Sequence, residues 1–237
     1  MSKSIAPADR LIFAMDVPDA TRAKALVDEL GDSVRFYKIG LELAMTDGYF
    51  ELMDWLLARD KKIFADVKLF DIPATVGRAV RNLRDRGASF VTVHGYRSVM
   101  AAAAENKGDD LQVLAVTVLT SLDKSDLDDL GKDRTVESLA IARAQGALDT
   151  GCDGVISSGL EVPRIREQVG DSLLVVSPGI RPASAAGSDD QKRVVTVERA
   201  FDNGVDYIVV GRPIRDAESP RAAAEAIQAT IAEKTAD

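Results

Sequence analysis

Cysteine and histidine are almost absent from this sequence. Its 237 residues include one cysteine, Cys152, and one histidine, His94. A single cysteine excludes an internal disulfide and a metal site built from clustered cysteines. A single histidine excludes zinc chemistry that needs several imidazole ligands. We therefore expect neither of these two kinds of metal site.

An excess of positive charge is also missing. The chain has 38 Asp and Glu against 30 Lys and Arg, a formal net charge of −8. Broad nucleic-acid binding needs a basic surface, so no nucleic-acid partner is expected. Any smaller anionic ligand must be held by a few specific Lys or Arg side chains. No apolar signal segment lies within residues 1–10, and no apolar run approaches membrane-spanning length. The expectation is a cytoplasmic protein with no membrane partner.

What the sequence does contain is a regular alternation of short apolar segments and longer amphipathic ones. Strands are predicted at residues 11–16, 34–39, 62–67, 89–94, 112–119, 154–157, 173–177 and 206–210. Helices are predicted at residues 20–30, 49–59, 75–86, 98–106, 135–150, 162–169, 196–203 and 219–233. Such alternation implies parallel strands. Eight units without a linker favour an α/β fold of one domain, residues 1–237, closed as a (β/α)8 TIM barrel, over a doubly wound sheet.

Two connections are longer than a tight turn. Residues 121–134 are rich in Asp and Lys and are expected to form a solvated surface loop. Residues 181–193 follow the seventh strand, where a barrel can carry a lid over a phosphate group. Within that connection Arg193, Asp189 and Asp190 are expected to be solvated.

Polar and charged side chains follow the apolar part of most strands, which is where barrels of this kind place their active sites. The set is Asp16, Lys38, Asp66, Lys68, His94, Thr120, Arg181 and Arg212. Any one of them alone is more often a solvated terminus or part of a structural ion pair. The lone His94 is as readily a hydrogen-bonded core residue as a ligand contact.

Lys38, Asp66 and Lys68 come from neighbouring strands, so we expect them close together. Period-2 geometry places Asp66 and Lys68 on one face, with Asp71 in the turn beyond. A lysine flanked by carboxylates stays protonated and is therefore suited to be a cation and proton donor, not a Schiff-base nucleophile. The pattern favours stabilisation and protonation of a carbanion. The alternative is a structural salt-bridge network across the barrel rim.

A phosphate site is predicted at the ends of the last two strands. Gly179 and Gly211 each follow an apolar segment, and glycine lets backbone N–H groups approach an anion closely. Arg212, and in principle Arg181, can clamp a phosphate bidentately. The loops after strands 7 and 8 are the usual phosphate site of such barrels.

Four segments resemble the orotidine 5′-phosphate decarboxylase family in its prokaryotic monofunctional form. They are Asp66-Val-Lys-Leu-Phe-Asp-Ile-Pro-Ala-Thr75, Thr117-Val-Leu-Thr-Ser121, Ser177-Pro-Gly-Ile-Arg-Pro182 and Asp206-Tyr-Ile-Val-Val-Gly-Arg-Pro213. The match runs in the family's order from Asp16 to Arg212. The resemblance implies decarboxylation of orotidine 5′-phosphate to uridine 5′-phosphate (UMP) and CO2, the last step of pyrimidine nucleotide (UMP) biosynthesis. It also implies that no metal or organic cofactor is used.

The resemblance further implies roles for single residues. Lys68 resembles the lysine that protonates C6 after CO2 leaves, and Asp66 the carboxylate beside the substrate carboxylate. Lys38 resembles the lysine that links this carboxylate to the ribose, and Asp16 a ligand of a ribose hydroxyl.

Asp71, with Ile72 and Thr75, resembles residues that reach the partner subunit's site, which implies a homodimer with composite active sites. Thr120 and Ser121 are similar to the contacts at the pyrimidine edge.

At the phosphate end the resemblance assigns a clamp to Arg212 and the Gly211 backbone. Arg181 stands at the start of the closing loop, and Gln191 resembles the residue that bridges pyrimidine and phosphate.

Two other functions fit parts of the pattern. A metal-dependent sugar-phosphate lyase or decarboxylase of the same superfamily shares the Asp-x-Lys-x-x-Asp segment, but that class holds magnesium with a carboxylate near the end of strand 2, where this chain has Lys38. A catalytically silent phosphate-binding barrel is the other alternative, and a costly cluster of near-buried charges argues against it.

Overall fold

The structure is a computed structural model that describes residues 3–127, 135–181 and 193–236. Within these ranges eight parallel strands form a closed barrel in chain order, and β8 pairs with β1. The strands are β1 (Leu11–Ala14), β2 (Phe36–Gly40), β3 (Lys62–Leu69), β4 (Phe90–His94), β5 (Gln112–Val116), β6 (Gly154–Ile156), β7 (Leu174–Ser177) and β8 (Tyr207–Val210). The predicted (β/α)8 fold is confirmed.

Helices alternate with the strands. They are α1 (Ala20–Leu30), α2 (Leu41–Ala44), α3 (Tyr49–Leu57), α4 (Pro73–Asp85), α5 (Arg97–Asn106), α6 (Lys124–Leu127), α7 (Val136–Asp149), α8 (Val162–Val169), α9 (Val197–Asp202), α10 (Arg212–Arg215) and α11 (Pro220–Thr235). The longer helices match the predicted ones closely, whereas the four-residue helices α2, α6 and α10 were not predicted. In the described ranges, no helix is both long enough and apolar enough to cross a membrane.

Local sequence signals account for several helix starts. The Asp19 carboxylate accepts a hydrogen bond from the Arg22 N–H at the start of α1, and Ser219 caps α11 in the same way. Pro73 and Pro220 occupy first-turn positions, where a missing N–H costs no helical hydrogen bond.

Strand ends differ more from prediction than helix ends do. β1 stops at Ala14 and β5 at Val116, before their predicted ends, whereas β3 continues to Leu69. Apolar residues continue past β1 and β5, since Met15 and Val118 are buried beyond the ends of these strands. An apolar pattern indicates which residues are buried, but it does not indicate which residues pair in a sheet. The predicted strands therefore extend beyond the observed ends of β1 and β5.

The interior of the barrel is filled by aromatic rings. Phe36, Phe64, Phe90 and Tyr207 pack with ring centroids 4.8–6.1 Å apart. A second apolar layer lies between the strands and the surrounding helices. Because side chains two residues apart share a face, the positions two steps beyond Phe36, Phe64 and Phe90 lie above this aromatic layer. The barrel therefore presents the side chains of those positions at its C-terminal end.

Candidate active site

A cavity of about 540 Å³ opens at the C-terminal ends of the strands. Its lining includes many of the residues singled out by the sequence. They are Asp16, Lys38, Asp66, Lys68, Thr120, Ser121, Arg181, Gly211 and Arg212. The predicted reaction centre and the predicted phosphate site thus share one space.

Four charged side chains form an alternating chain across one wall of this cavity. Lys38 Nζ lies 2.9 Å from Asp16 Oδ1 and 3.4 Å from Asp66 Oδ2. Lys68 Nζ lies 2.9 Å from the same Asp66 Oδ2. Gly40 leaves room for this chain, because a Cβ there would lie 3.0 Å from Lys38 Nζ. Each charge therefore contacts at least one charge of opposite sign.

Burial and charge compete in setting the pKa values of this chain. Burial alone would raise the pKa of Asp66, but Lys38 and Lys68, with hydrogen bonds from Lys68 and Thr92, hold the pKa of Asp66 below its ordinary value. Burial would likewise lower the pKa of Lys38, but Asp66 and Asp16 raise it. At neutral pH, Asp66 is anionic and Lys38 cationic.

Lys68 reaches the cavity through an irregular end of β3. The pairing of β3 with β4 shifts register between Ala65 and Leu69. Lys68 has a φ of +48°, in the left-handed region that non-glycine residues rarely occupy. Simple alternation along a regular strand placed Asp66 and Lys68 on one face, and the structure brings them together through a bulge instead.

Thr92 on β4 is a site residue that sequence reasoning missed. It is fully buried, and its Oγ1 donates to Asp66 Oδ1 at 2.9 Å while accepting from the Lys68 N–H at 2.9 Å. Thr92 lies two positions beyond Phe90, in the same relation as Lys38 to Phe36. That spacing is the signal that could have found it.

The predicted phosphate site consists of the segments after β7 and β8. Gly179 has a φ of +75°, which favours glycine, and it lines the cavity with Pro178, Arg181 and Arg212. At Gly211 a Cβ would lie 3.4 Å from the Cβ of Ala14, which is an ordinary van der Waals contact with β1. The two arginines therefore stand beside backbone that can approach an anion closely.

Thr120 and Ser121 lie on a segment held from the far side by Arg193. Arg193 Nη2 donates to the carbonyl of Leu119 at 2.8 Å, and its Nη1 lies 2.5 Å from Glu161 Oε1. The predicted solvation of Arg193 is wrong, because its side chain is only 13% exposed. An arginine following a segment rich in Ala, Ser, Gly and Asp gave no sign of a buried partner so distant in sequence.

Three predicted residues that follow β3 lie apart from the cavity. Asp71 and Ile72 are exposed, Thr75 is partly exposed, and none of these three lines it. Gln191 lies outside the described residues. His94 is half-buried beside Phe70, and burial, with Arg143 and Lys68, lowers its pKa.

No metal centre is formed by the part of the chain that the structure describes. Within residues 3–127, 135–181 and 193–236, no three His, Cys, Asp or Glu side chains come together as a possible metal site. Asp16 and Asp66, the two carboxylates of the cavity's charged chain, share Lys38 between them.

Similar proteins place this arrangement in a known context. Residues 9–227 match the model of the orotidine 5′-phosphate decarboxylase / HUMPS family. The chain is 60% identical to the orotidine 5′-phosphate decarboxylase of Methylococcus capsulatus, over 97% of this chain and 95% of that protein. It is 51% identical to that of Xanthomonas axonopodis pv. citri, over 96% and 93%. The solved orotidine 5′-phosphate decarboxylase of Lactobacillus acidophilus superposes with a TM-score of 0.83 at 34% identity, covering 94% of this chain and 99% of that one.

Proposed function

Because this chain belongs to the orotidine 5′-phosphate decarboxylase / HUMPS family, we propose that it is a carboxy-lyase that converts orotidine 5′-phosphate to UMP and CO2 in pyrimidine biosynthesis. The observation that carries the proposal is the alternating chain of Asp16, Lys38, Asp66 and Lys68 in a cavity that also holds Arg212. Decarboxylation needs an environment that tolerates a developing carbanion and then protonates it. A fixed ammonium beside a fixed carboxylate supplies both.

The proposed chemistry is centred on Lys68. The bond between C6 and the carboxylate breaks, CO2 leaves, and the electron pair remains on C6. The Lys68 ammonium stabilises that charge and then transfers a proton to C6, which completes UMP and leaves a neutral amine that solvent reprotonates. Asp66 stands beside the substrate carboxylate and orients Lys68, whose Nζ is 2.9 Å from Asp66 Oδ2.

Lys38 and Asp16 extend the charged chain toward the ribose. We assign Lys38 the link between the reacting carboxylate and the sugar, because it bridges Asp66 and Asp16. Asp16 is half-exposed at the cavity wall, and its carboxylate oxygens are acceptors suited to a ribose hydroxyl.

Phosphate and pyrimidine contacts complete the substrate site. We assign the phosphate to Arg212, Arg181 and the Gly211 backbone, which line the cavity beyond the charged chain. Thr120 and Ser121, which line the cavity after β5, are assigned to the edge of the pyrimidine ring. Gln191 is assigned the bridge between base and phosphate. Binding energy from the phosphate, remote from C6, can contribute to the chemical step as well as to affinity.

A homodimer with shared active sites is part of the proposal. Asp71, Ile72 and Thr75 lie beyond β3 and do not line the cavity of their own chain, which supports a role for them in the cavity of a neighbouring subunit. Large exposed apolar side chains occur on the same side of the barrel, at the ends of β2 to β4 and on α3. They are Leu41, Met45, Phe50, Phe70, Ile72 and Tyr96. Such a patch is typical of a surface covered by another protein chain.

We further propose that residues 1–237 act as one catalytic domain and that the reaction uses no metal or organic cofactor. The support for one domain is that the closed barrel draws strands from residue 11 to residue 210. The support for cofactor independence is that Lys68 and Asp66 can supply the charge stabilisation and the proton without help.

Mixing the protein with orotidine 5′-phosphate in the presence of a chelator tests this function. We expect the ultraviolet absorbance of the substrate to fall as UMP forms, at the same rate with and without chelator. Activity abolished by the chelator would support the metal-dependent sugar-phosphate class instead. Tight UMP binding without turnover would support a silent phosphate-binding barrel.

A further inference from the structure

The hydroxyl of Thr92 makes hydrogen bonds with two residues of the proposed reaction centre. Thr92 is 0% exposed, and its Oγ1 lies 2.9 Å from both Asp66 Oδ1 and the Lys68 backbone nitrogen. A carboxylate can only accept a hydrogen bond, and a backbone N–H can only donate one. The direction of both bonds is therefore fixed, and the hydroxyl has a single favourable orientation.

The bond to the Lys68 N–H holds a strained part of the backbone. Lys68 has a φ of +48°, and the β3–β4 register shifts at this point. A non-glycine residue keeps such a conformation only when its surroundings fix it. The Thr92 hydroxyl supplies one of the contacts that fix it.

The bond to Asp66 selects which carboxylate oxygen faces the lysines. Asp66 Oδ2 contacts the ammonium groups of Lys38 and Lys68, whereas Oδ1 contacts Thr92. Without Thr92 the carboxylate could turn about its Cβ–Cγ bond and divide its oxygens differently between the two lysines. A turned carboxylate would no longer hold the Lys68 ammonium in one place.

We propose that Thr92 is a positioning residue for the decarboxylation, acting through Asp66 and Lys68 without touching the substrate. This inference rests on the proposed function. Thr92 does not line the cavity, whereas both of its partners do. Its hydroxyl fixes the Asp66 carboxylate and the Lys68 peptide together, so that the ammonium is aimed at C6 before the substrate binds. The residues assigned to the phosphate and the pyrimidine play no part in this.

Replacing Thr92 by valine tests the proposal, because valine keeps the shape of the side chain and removes the hydroxyl. Both partners then lose a buried hydrogen bond. We expect Thr92→Val to lower kcat by about tenfold to a hundredfold. The loss of one buried hydrogen bond of ordinary strength corresponds to about a factor of ten, and this variant loses two. The Kd for UMP should stay within about threefold, because the contacts assigned to phosphate and pyrimidine remain.

Two other variants separate positioning from folding. Thr92→Ser keeps the hydroxyl and should retain kcat within about threefold of the unaltered protein. Thr150→Val removes a threonine hydroxyl that donates to Gly146 O at the end of α7, away from the cavity, and should leave both kcat and UMP affinity unchanged. If Thr92→Val does not fold, Thr92→Cys replaces it, and the serine variant should exceed the cysteine variant in kcat by about tenfold.

The possible results are distinct. A Thr92→Val protein with unchanged kcat overturns the inference, and so does a parallel loss of kcat and UMP affinity that serine does not rescue, since that indicates a purely structural role. Equal kcat for the serine and cysteine variants also overturns it. Failure of the unaltered protein to consume orotidine 5′-phosphate would instead overturn the proposed function.

Discussion

At the scale of single residues, the candidate site is a set of charges that stabilise one another, and two of them, Lys38 and Asp66, are buried. Asp66 contacts two lysines, and Lys38 contacts two aspartates. An isolated buried charge would shift its pKa and neutralise, but here the pKa of Asp66 is lowered from 3.8 and that of Lys38 is raised from 10.5. Asp66 and Lys38 therefore both keep their charges at neutral pH.

The first prediction concerns Lys68 itself. Lys68→Ala removes the proposed proton donor, so kcat should fall by at least about a thousandfold, which is the upper end of what one preorganised electrostatic group contributes. Affinity for UMP should change little, because the groups assigned to its phosphate and base remain. Single-turnover kinetics and calorimetric UMP titration measure the two effects.

Arg212→Ala is the matched comparison. It removes a proposed phosphate contact and leaves the reacting groups in place, so it should mainly weaken binding of substrate and UMP. A Lys68→Ala protein with near-normal kcat would refute the assignment of the proton donor.

At the scale of elements, the site depends on a contact between segments far apart in sequence. The turn before α8 supplies Glu161, the segment after β5 supplies the carbonyl of Leu119, and Arg193 joins the two. Val195, two residues beyond Arg193, pairs with Ile180 next to the proposed phosphate site. This contact ties the segment that carries Thr120 to the segment that carries Arg181.

The second prediction concerns this ion pair. Glu161→Gln leaves the buried Arg193 guanidinium without its counter-charge, which should destabilise the protein by about 3 kcal/mol. The double variant Glu161→Gln with Arg193→Gln should cost less than the sum of the single changes, because neither charge is then left unpaired. Urea unfolding midpoints measure both.

A control is available on α8. The exposed pair Arg164–Glu167 should contribute nothing measurable, so Glu167→Gln should unfold at the unaltered midpoint. A Glu161→Gln protein as stable as the unaltered one would show that the buried pair does not hold these segments together.

At the scale of the whole molecule, the two ends of the barrel differ in what their charged residues contact. At the N-terminal end Asp206 Oδ2 accepts hydrogen bonds from Lys3, Arg166 and the Val175 N–H, each at 2.7 Å. These bonds connect β7, which contains Val175, to the residue that precedes β8. At the C-terminal end the charges surround a cavity. Stability and catalysis are expected at opposite ends of such barrels, and the exposed apolar side chains beside β2 to β4 form the surface on which we propose that a second chain packs.

The third prediction concerns the proposed shared site. Lys68→Ala and Asp71→Ala proteins should each be nearly inactive. When the two are mixed under conditions that allow subunit exchange, some activity should return, because a mixed dimer contains one site with both residues intact. Steady-state rates before and after mixing measure the recovery. Absence of recovery in a dimer shown to exchange subunits would contradict composite sites.

The sequence by itself determined the barrel and the identities of most of the cavity-lining candidates. Strand and helix periodicity are local properties, so α1 and α8 begin and end at the predicted residues, and Lys38, Asp66, Lys68 and Arg212 could be named from their positions after apolar strands. The tertiary structure alone decided how these residues are held. The left-handed Lys68 and the buried Thr92 arise from the pairing of β3 with β4, and the burial of Arg193 from a contact with Glu161 more than thirty residues away. A periodic pattern reports which face of an element is buried, but a hydrogen bond between distant segments depends on where the closed barrel brings them.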